Sequence, residues 1–175
     1  KGIGDSTGGR RPQLYALKPD EVYVVAVSMD QLVTRIALVG AGGHIHGEIE
    51  KFDIPLANNN QSLEILTNKI SEFLLKHPLL GDKIAGIGIG MPGFIDARRG
   101  INHSFLPSPQ GTLLKYLEKH LSLPVVIEND STLAALAELK WGAAQQKQEV
   151  MVINVGWGVG LGIILGGKLY RGKNG

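Results

Sequence analysis

The sequence predicts an α/β fold. A valine-rich β-meander passes into strands separated by amphipathic helices, and a second meander then begins. Three observations carry this. Short apolar segments at 21–28, 32–39 and 44–54 are separated by turn residues. Apolar stripes at helical spacing occupy 60–76 and 110–121. Glycine supplies 24 of the 175 residues, well above the usual ~7%. It clusters in apolar segments, as tight turns and close backbone approaches require.

Each element follows in order. Residues 1–20 read as a linker punctuated by Gly2, Gly4, Gly8, Gly9, Pro12 and Pro19. The three strands of the meander come next, with Ala41-Gly42-Gly43 as the natural turn between the second and third. In the first helix Leu63, Leu66, Ile70, Phe73 and Leu74 form one stripe, Asn60 is the candidate cap, and His77-Pro78 stops it. A buried strand at 83–90 turns out through Met91-Pro92-Gly93. The second helix, 110–121, turns Leu113, Leu114, Leu117 and Leu121 inward. A strand at 124–127 runs into Glu128-Asn129-Asp130 and an alanine-rich helix reaching Trp141. Helices between short apolar strands imply parallel crossovers. The order β-β-β-α-β-α-β-α is that of the ribonuclease-H-like half of an actin-like ATPase, or sugar-kinase type, fold. Strands at 150–155 and 159–165, joined by Gly156-Trp157-Gly158, then turn through Gly166-Gly167 into 168–171 and repeat the opening. The expected organisation is a linker at 1–20, a ribonuclease-H-like lobe at 21–148, and the truncated start of a second lobe at 149–175.

Composition excludes several classes. A net charge of +2 gives this segment no electrostatic footprint for nucleic acid. With no cysteine, neither a disulfide nor a thiolate metal site can form, which is compatible with the cytoplasm. The longest apolar run, 150–165, is broken by Asn154 and by glycines, and a membrane helix needs about 20 residues. Lys1-Gly2-Ile3-Gly4 carries no apolar leader, so the chain is expected to start inside a longer protein.

Several residues have chemistry to offer. Glu128-Asn129-Asp130 sits where a strand end feeds a helix, the usual ligand position of open α/β sheets. Asp130 can accept from a sugar hydroxyl or act as a base toward it, and Asn129 can both donate and accept. The same two residues are ordinary helix caps, so position alone leaves both roles open. The glycine-rich turn 156–162 suits an anion cradle or a tight hairpin with close strand packing. His44, His46 and Glu48 alternate along one strand, yet no further ligand clusters with them, and no metal is expected. Arg10-Arg11 and Arg98-Arg99 read as solvated pairs, or as contacts for neighbouring acidic groups, rather than as DNA readers. Neither a Gly-x-Ser-x-Gly elbow nor a Walker phosphate loop is present.

These residues together resemble the ROK family of repressors, open reading frames and kinases. Ile89-Gly90-Met91-Pro92-Gly93-Phe94-Ile95-Asp96 resembles its G-x-P-G-x-x-D turn, and 123–130 its l-P-V-x-x-x-N-D segment. Residues 156–164 with Gly167-Lys168-Leu169-Tyr170-Arg171-Gly172 resemble its second phosphate hairpin. Ser6-Thr7-Gly8-Gly9-Arg10-Arg11-Pro12 resembles the linker that follows the winged helix-turn-helix of the family's repressors.

The resemblance implies a sugar site that outlived a phosphate site. Where family kinases carry D-I-G-G-T, Ser28 replaces the aspartate, Asp30 and Gln31 the glycines, and Leu32 the threonine. Asp30 puts a negative charge where phosphate would lie, and like charges at about 4 Å repel by ~1 kcal/mol even in water. Within Gly156-Trp157-Gly158, the tryptophan stands where kinases carry threonine. Asp130 matches the kinases' catalytic base, Asn129 its sugar-binding neighbour, and Gly93 the cleft wall. The family's sugar-contacting asparagine falls near Leu106-Pro107-Ser108-Pro109, which makes Ser108 a candidate replacement. The implied function is the sugar-effector-binding part of a transcriptional repressor, without kinase activity and without a catalytic residue. The alternative is a sugar kinase transferring phosphate from ATP to a hexose or hexosamine, with Asp130 as base. A sugar-binding module with no DNA role is a third reading, separated from the repressor by whether a helix-turn-helix precedes Lys1. The implied partners are a sugar or sugar derivative, operator DNA through a domain outside this chain, and further copies in a homo-oligomer, with no membrane. No cofactor is implied for this segment; the family's structural zinc ligands fall beyond Gly175.

Overall fold

The computed structural model describes residues 21–172, together with 2–3, 13–14 and 18. Most of the expected linker, including the Ser6–Pro12 motif, therefore lies outside the described residues. Its described pairs, Gly2–Ile3 and Gln13–Leu14, form a short antiparallel ladder.

The meander is β1 (Tyr23–Met29), β2 (Val33–Gly40) and β3 (Ile45–Asp53), paired antiparallel. Alternation places Tyr23, Val25, Val27 and Met29 in the core and leaves Val24 and Ser28 exposed. Helix α1 (Ser62–Leu75) buries Leu63, Leu66, Ile70 and Phe73, the stripe expected. Asn60 is not its cap: the helix starts after Gln61, and Asn59 Oδ1 accepts from the Gln61 N–H instead. A 3₁₀ turn, Pro78–Lys83, then leads into β4 (Ile84–Met91). A small hairpin missed in the sequence, β5 (Ile95–Asp96) with β6 (Ile101–Asn102), follows the Pro92-Gly93 turn. Helix α2 (Leu113–Leu121) begins three residues later than expected, because Thr112 Oγ1 caps it by accepting from Lys115 N–H. Strand β7 (Val125–Asn129) runs directly into helix α3 (Asp130–Trp141).

The central sheet has the order β3-β2-β1-β4-β7. Its last three strands are parallel, with Ser28 beside Gly90 and Met91 beside Asn129. One sheet face meets α1 and α2 in a continuous apolar core. Strands β8 (Val150–Val155), β9 (Val159–Leu165) and β10 (Lys168–Leu169) form a separate antiparallel sheet. That sheet lies against α3. Gly160 and Gly162 permit the approach: a Cβ on Gly162 would stand 2.6 Å from Ser131 O, and one on Gly160 would overlap Ser131 Oγ. Close packing is thus one use of the glycine-rich turn. No helix among the described residues is long and apolar enough to cross a membrane.

Candidate functional site

Because β1, β4 and β7 are parallel, their C-terminal ends meet on one edge of the sheet. The turn after β1, the Pro92-Gly93 turn, the start of α3 and the tip of the β8–β9 hairpin surround a cavity of about 560 Å³ there. This is the position at which open α/β sheets hold ligands. The cavity brings together Asp30, Gln31, Gly93, Asn129, Asp130 and Trp157, with Gly156 and Gly158 beside the last. Ser28 and Leu32 are not among its lining. Ser28 instead faces a second, mostly apolar cavity of about 620 Å³ on the outer side of the sheet, and Leu32 is exposed.

Asn129 acts as a brace. Its Oδ1 accepts from Ser131 N–H at 2.9 Å and Thr132 N–H at 3.1 Å, capping α3. Its Nδ2 donates to Gly93 O at 3.0 Å, tying the helix start to the neighbouring turn. One Nδ2 hydrogen is left for a ligand. Asp130 Oδ1 accepts from Ser131 N–H at 2.8 Å and Ser131 Oγ at 3.3 Å. Asp130 Oδ2 has no hydrogen-bond partner among the described residues, so a half-buried carboxylate oxygen is available to a hydroxyl in the cleft. Gly93 has φ +106°, and a Cβ there would sit 2.8 Å from Ser104 Cβ, so only glycine fits.

Asn102, which sequence reasoning passed over, holds the opposite wall. It is buried, its Nδ2 donates to Pro92 O at 3.1 Å, and its Oδ1 accepts from Ser104 and Phe105 N–H at 2.9 and 3.0 Å. These bonds set Phe105 into the cavity lining. Ser108 does not reach it, and its hydroxyl donates to Gln110 O. The side chain in that wall is therefore aromatic rather than the expected serine. Its Oδ1 contacts are local, whereas its Nδ2 contact reaches back ten residues to the Pro92 turn, which the local pattern does not show.

Asp30 closes the first turn on itself. Its N–H donates to Val33 O, while its Oδ1 accepts from Leu32 N–H at 2.8 Å and Val33 N–H at 2.7 Å. Arg35 lies 3.5 Å from Oδ2. Burial pushes this carboxyl up, but the two backbone hydrogen bonds and Arg35 outweigh it, and its pKa falls below the usual carboxylate value. Two of the turn's N–H groups, those of Leu32 and Val33, are thus taken by an internal anion.

The second sheet is joined to the site by polar contacts as well as by glycines. Arg171 pairs with Glu128, whose other oxygen accepts from Asn129 N–H at 2.9 Å. Asn154 Nδ2 donates to Ser131 Oγ at 3.3 Å. Asn154 carried a signal, being the interruption in an apolar run; the Arg171–Glu128 pair carried none. For metal, His44, His46 and Glu48 do not form a ligand cluster. Gly47 has φ +76° within an irregularity of the β2–β3 ladder, which ends the alternation after His46. Among the described residues no three of His, Cys, Asp and Glu cluster as ligands would, and without cysteine the chain does not fit a thiolate zinc site.

A model of the ROK family matches residues 25–175. The chain belongs to the ROK family. A xylose repressor of Caldicellulosiruptor bescii is 30% identical over 181 residues, an alignment covering 100% of this ROK chain and 44% of the repressor. A glucokinase of Halalkalibacterium halodurans is 32% identical over 159 residues, covering 87% of this chain and 47% of the enzyme. Among solved structures, a ROK family transcriptional regulator, a homologue of the E. coli MLC protein, superposes with a TM-score of 0.78 at 26% identity. That match covers 90% of this chain and 40% of the regulator. The fold is therefore the actin-like, sugar-kinase-type α/β fold expected. The chain spans less than half the length of these relatives, and the relatives include both repressors and kinases.

Proposed function

We propose that this ROK chain is the sugar-sensing part of a transcriptional regulator, and that its cleft binds a sugar effector without phosphorylating it. The single observation that carries this is Asp30. Its carboxylate holds the Leu32 and Val33 N–H groups and places negative charge on the cavity wall. A nucleotide phosphate brought there meets like charge and finds those donors taken. The sugar side keeps Asp130 with one open carboxylate oxygen and the braced Asn129–Gly93 pair.

In this reading, residues 21–148 form the first lobe, 149–175 open the second, and 1–20 link them to an operator-binding domain outside this chain. The regulator works in the cytoplasm as a homo-oligomer. A sugar with different affinity for two lobe arrangements shifts the population between operator-bound and released forms. The kinase reading draws its support from Asp130, which is placed to act as a base on a hydroxyl. One assay decides between them. Full-length protein is incubated with ATP and glucose, xylose or N-acetylglucosamine, and ADP release is coupled to a dye. The expected result is no turnover above background, with sugar-dependent release of operator DNA. Turnover that disappears in Asp130→Asn refutes the sensor reading.

A further inference from the structure

One cavity is lined both by Asn129, Asp130 and Gly93 and by Asp30, Gln31 and Trp157. We propose that the second set forms a saccharide subsite beside the first, so that the effector is a disaccharide or a glycoside rather than a single sugar. Its first ring sits at Asn129–Asp130 and its second ring rests against Trp157. The proposal rests on the sugar-binding reading and deepens it.

Four observations lead there. The cavity is continuous and about 560 Å³, within the ~300–1,000 Å³ of pockets that enclose drug-sized ligands. Trp157 lines that cavity from the hairpin tip, on a turn closed by Gly156 N–H to Gly158 O. Its ring offers a flat apolar face to the C–H face of a sugar and an indole N–H to a hydroxyl. Gln31 lines the same space, and its side-chain amide has no hydrogen-bond partner among the described residues. It can donate and accept, which suits a polyol.

The fourth observation is the charge of Asp30. Its low pKa keeps it ionised at neutral pH. The lone pairs not used by Leu32, Val33 and Arg35 can accept from hydroxyl donors, whereas a phosphate meets like charge there. Carboxylate, amide and exposed indole around one space form a recognition set for a neutral, hydroxyl-rich ring. The residues that exclude a nucleotide thus have a positive use, and that part of the cavity need not stand empty when the sensor is loaded.

The test uses full-length protein and calorimetric titration with three monosaccharides and their β-1,4-linked dimers: glucose and cellobiose, xylose and xylobiose, N-acetylglucosamine and chitobiose. For one pair the dimer is expected to bind about tenfold tighter than its monomer, the effect of one good aromatic contact. Trp157→Ala is expected to collapse that ratio to near one, and Trp157→Phe to restore most of it. A dimer that binds no tighter than its monomer, or a ratio that survives Trp157→Ala, overturns the second subsite and leaves the sugar-binding reading standing. Failure of all six sugars to bind overturns both.

Discussion

Replacing Asn129 with alanine removes three hydrogen bonds at once: two to the first N–H groups of α3 and one to Gly93 O. Loss of an N-cap costs about 1 kcal/mol. Loss of the bond to a half-buried carbonyl costs about 1 kcal/mol more. The total of about 2 kcal/mol corresponds to a fall in melting temperature of about 4–8 °C for a domain of this size. Asn129→Asp separates the two parts. A carboxylate still caps the helix, but it cannot donate to Gly93 O, so the expected cost is about half, ~1 kcal/mol. Urea unfolding of the full-length protein reads both variants, and amide exchange at Ser131 and Thr132 reads the cap directly. An Asn129→Ala variant within about 0.5 kcal/mol of wild type, the range of ordinary surface changes, refutes the brace. So does an Asn129→Asp variant as costly as the alanine. Either outcome leaves Asn129 as a ligand contact alone.

Two further outcomes follow from the geometry. Gly162→Val drives a side chain into Ser131 O and the Ala135 methyl. The expected cost is about 1–3 kcal/mol by thermal unfolding, and an unchanged melting point shows that β9 does not rest on α3 as described. Asp30 has a folded pKa below its unfolded value, so its contribution to stability is present above the unfolded value near ~3.9 and is lost as pH falls through the folded one. Asp30→Asn should therefore flatten the acid limb of the stability curve below about pH 4. A carboxyl titration by NMR that finds Asp30 at or above the ordinary aspartate value contradicts this.

The site was partly legible in the amino-acid order. Gly93, Asn129 and Asp130 stand at strand ends, where topology alone predicts ligands, and the structure places all three on one cavity. The cap and ligand roles of Asn129 were not separable, because both need the same side chain at the same helix start. Asn102 was missed because its bond to Pro92 O reaches back to another turn, and Phe105 because its place in the cavity lining depends on that link. The same limit applies to Glu128 and Arg171, paired across 43 positions. Asn60, expected as a cap, lost that place to the turn formed by its neighbour Asn59.

By itself the order of residues determined the elements, since alternation and helical stripes are local statements about which side of each segment meets water. It also determined what cannot happen here, such as thiolate metal binding in a chain without cysteine. What the first turn does with its anion is also local, because Asp30 bonds the N–H groups two and three residues on. Only the tertiary structure decided that Trp157 shares a cavity with Asp30 and Asp130. That depends on β9 lying against α3, a close approach made by two glycines and a serine far apart in the chain.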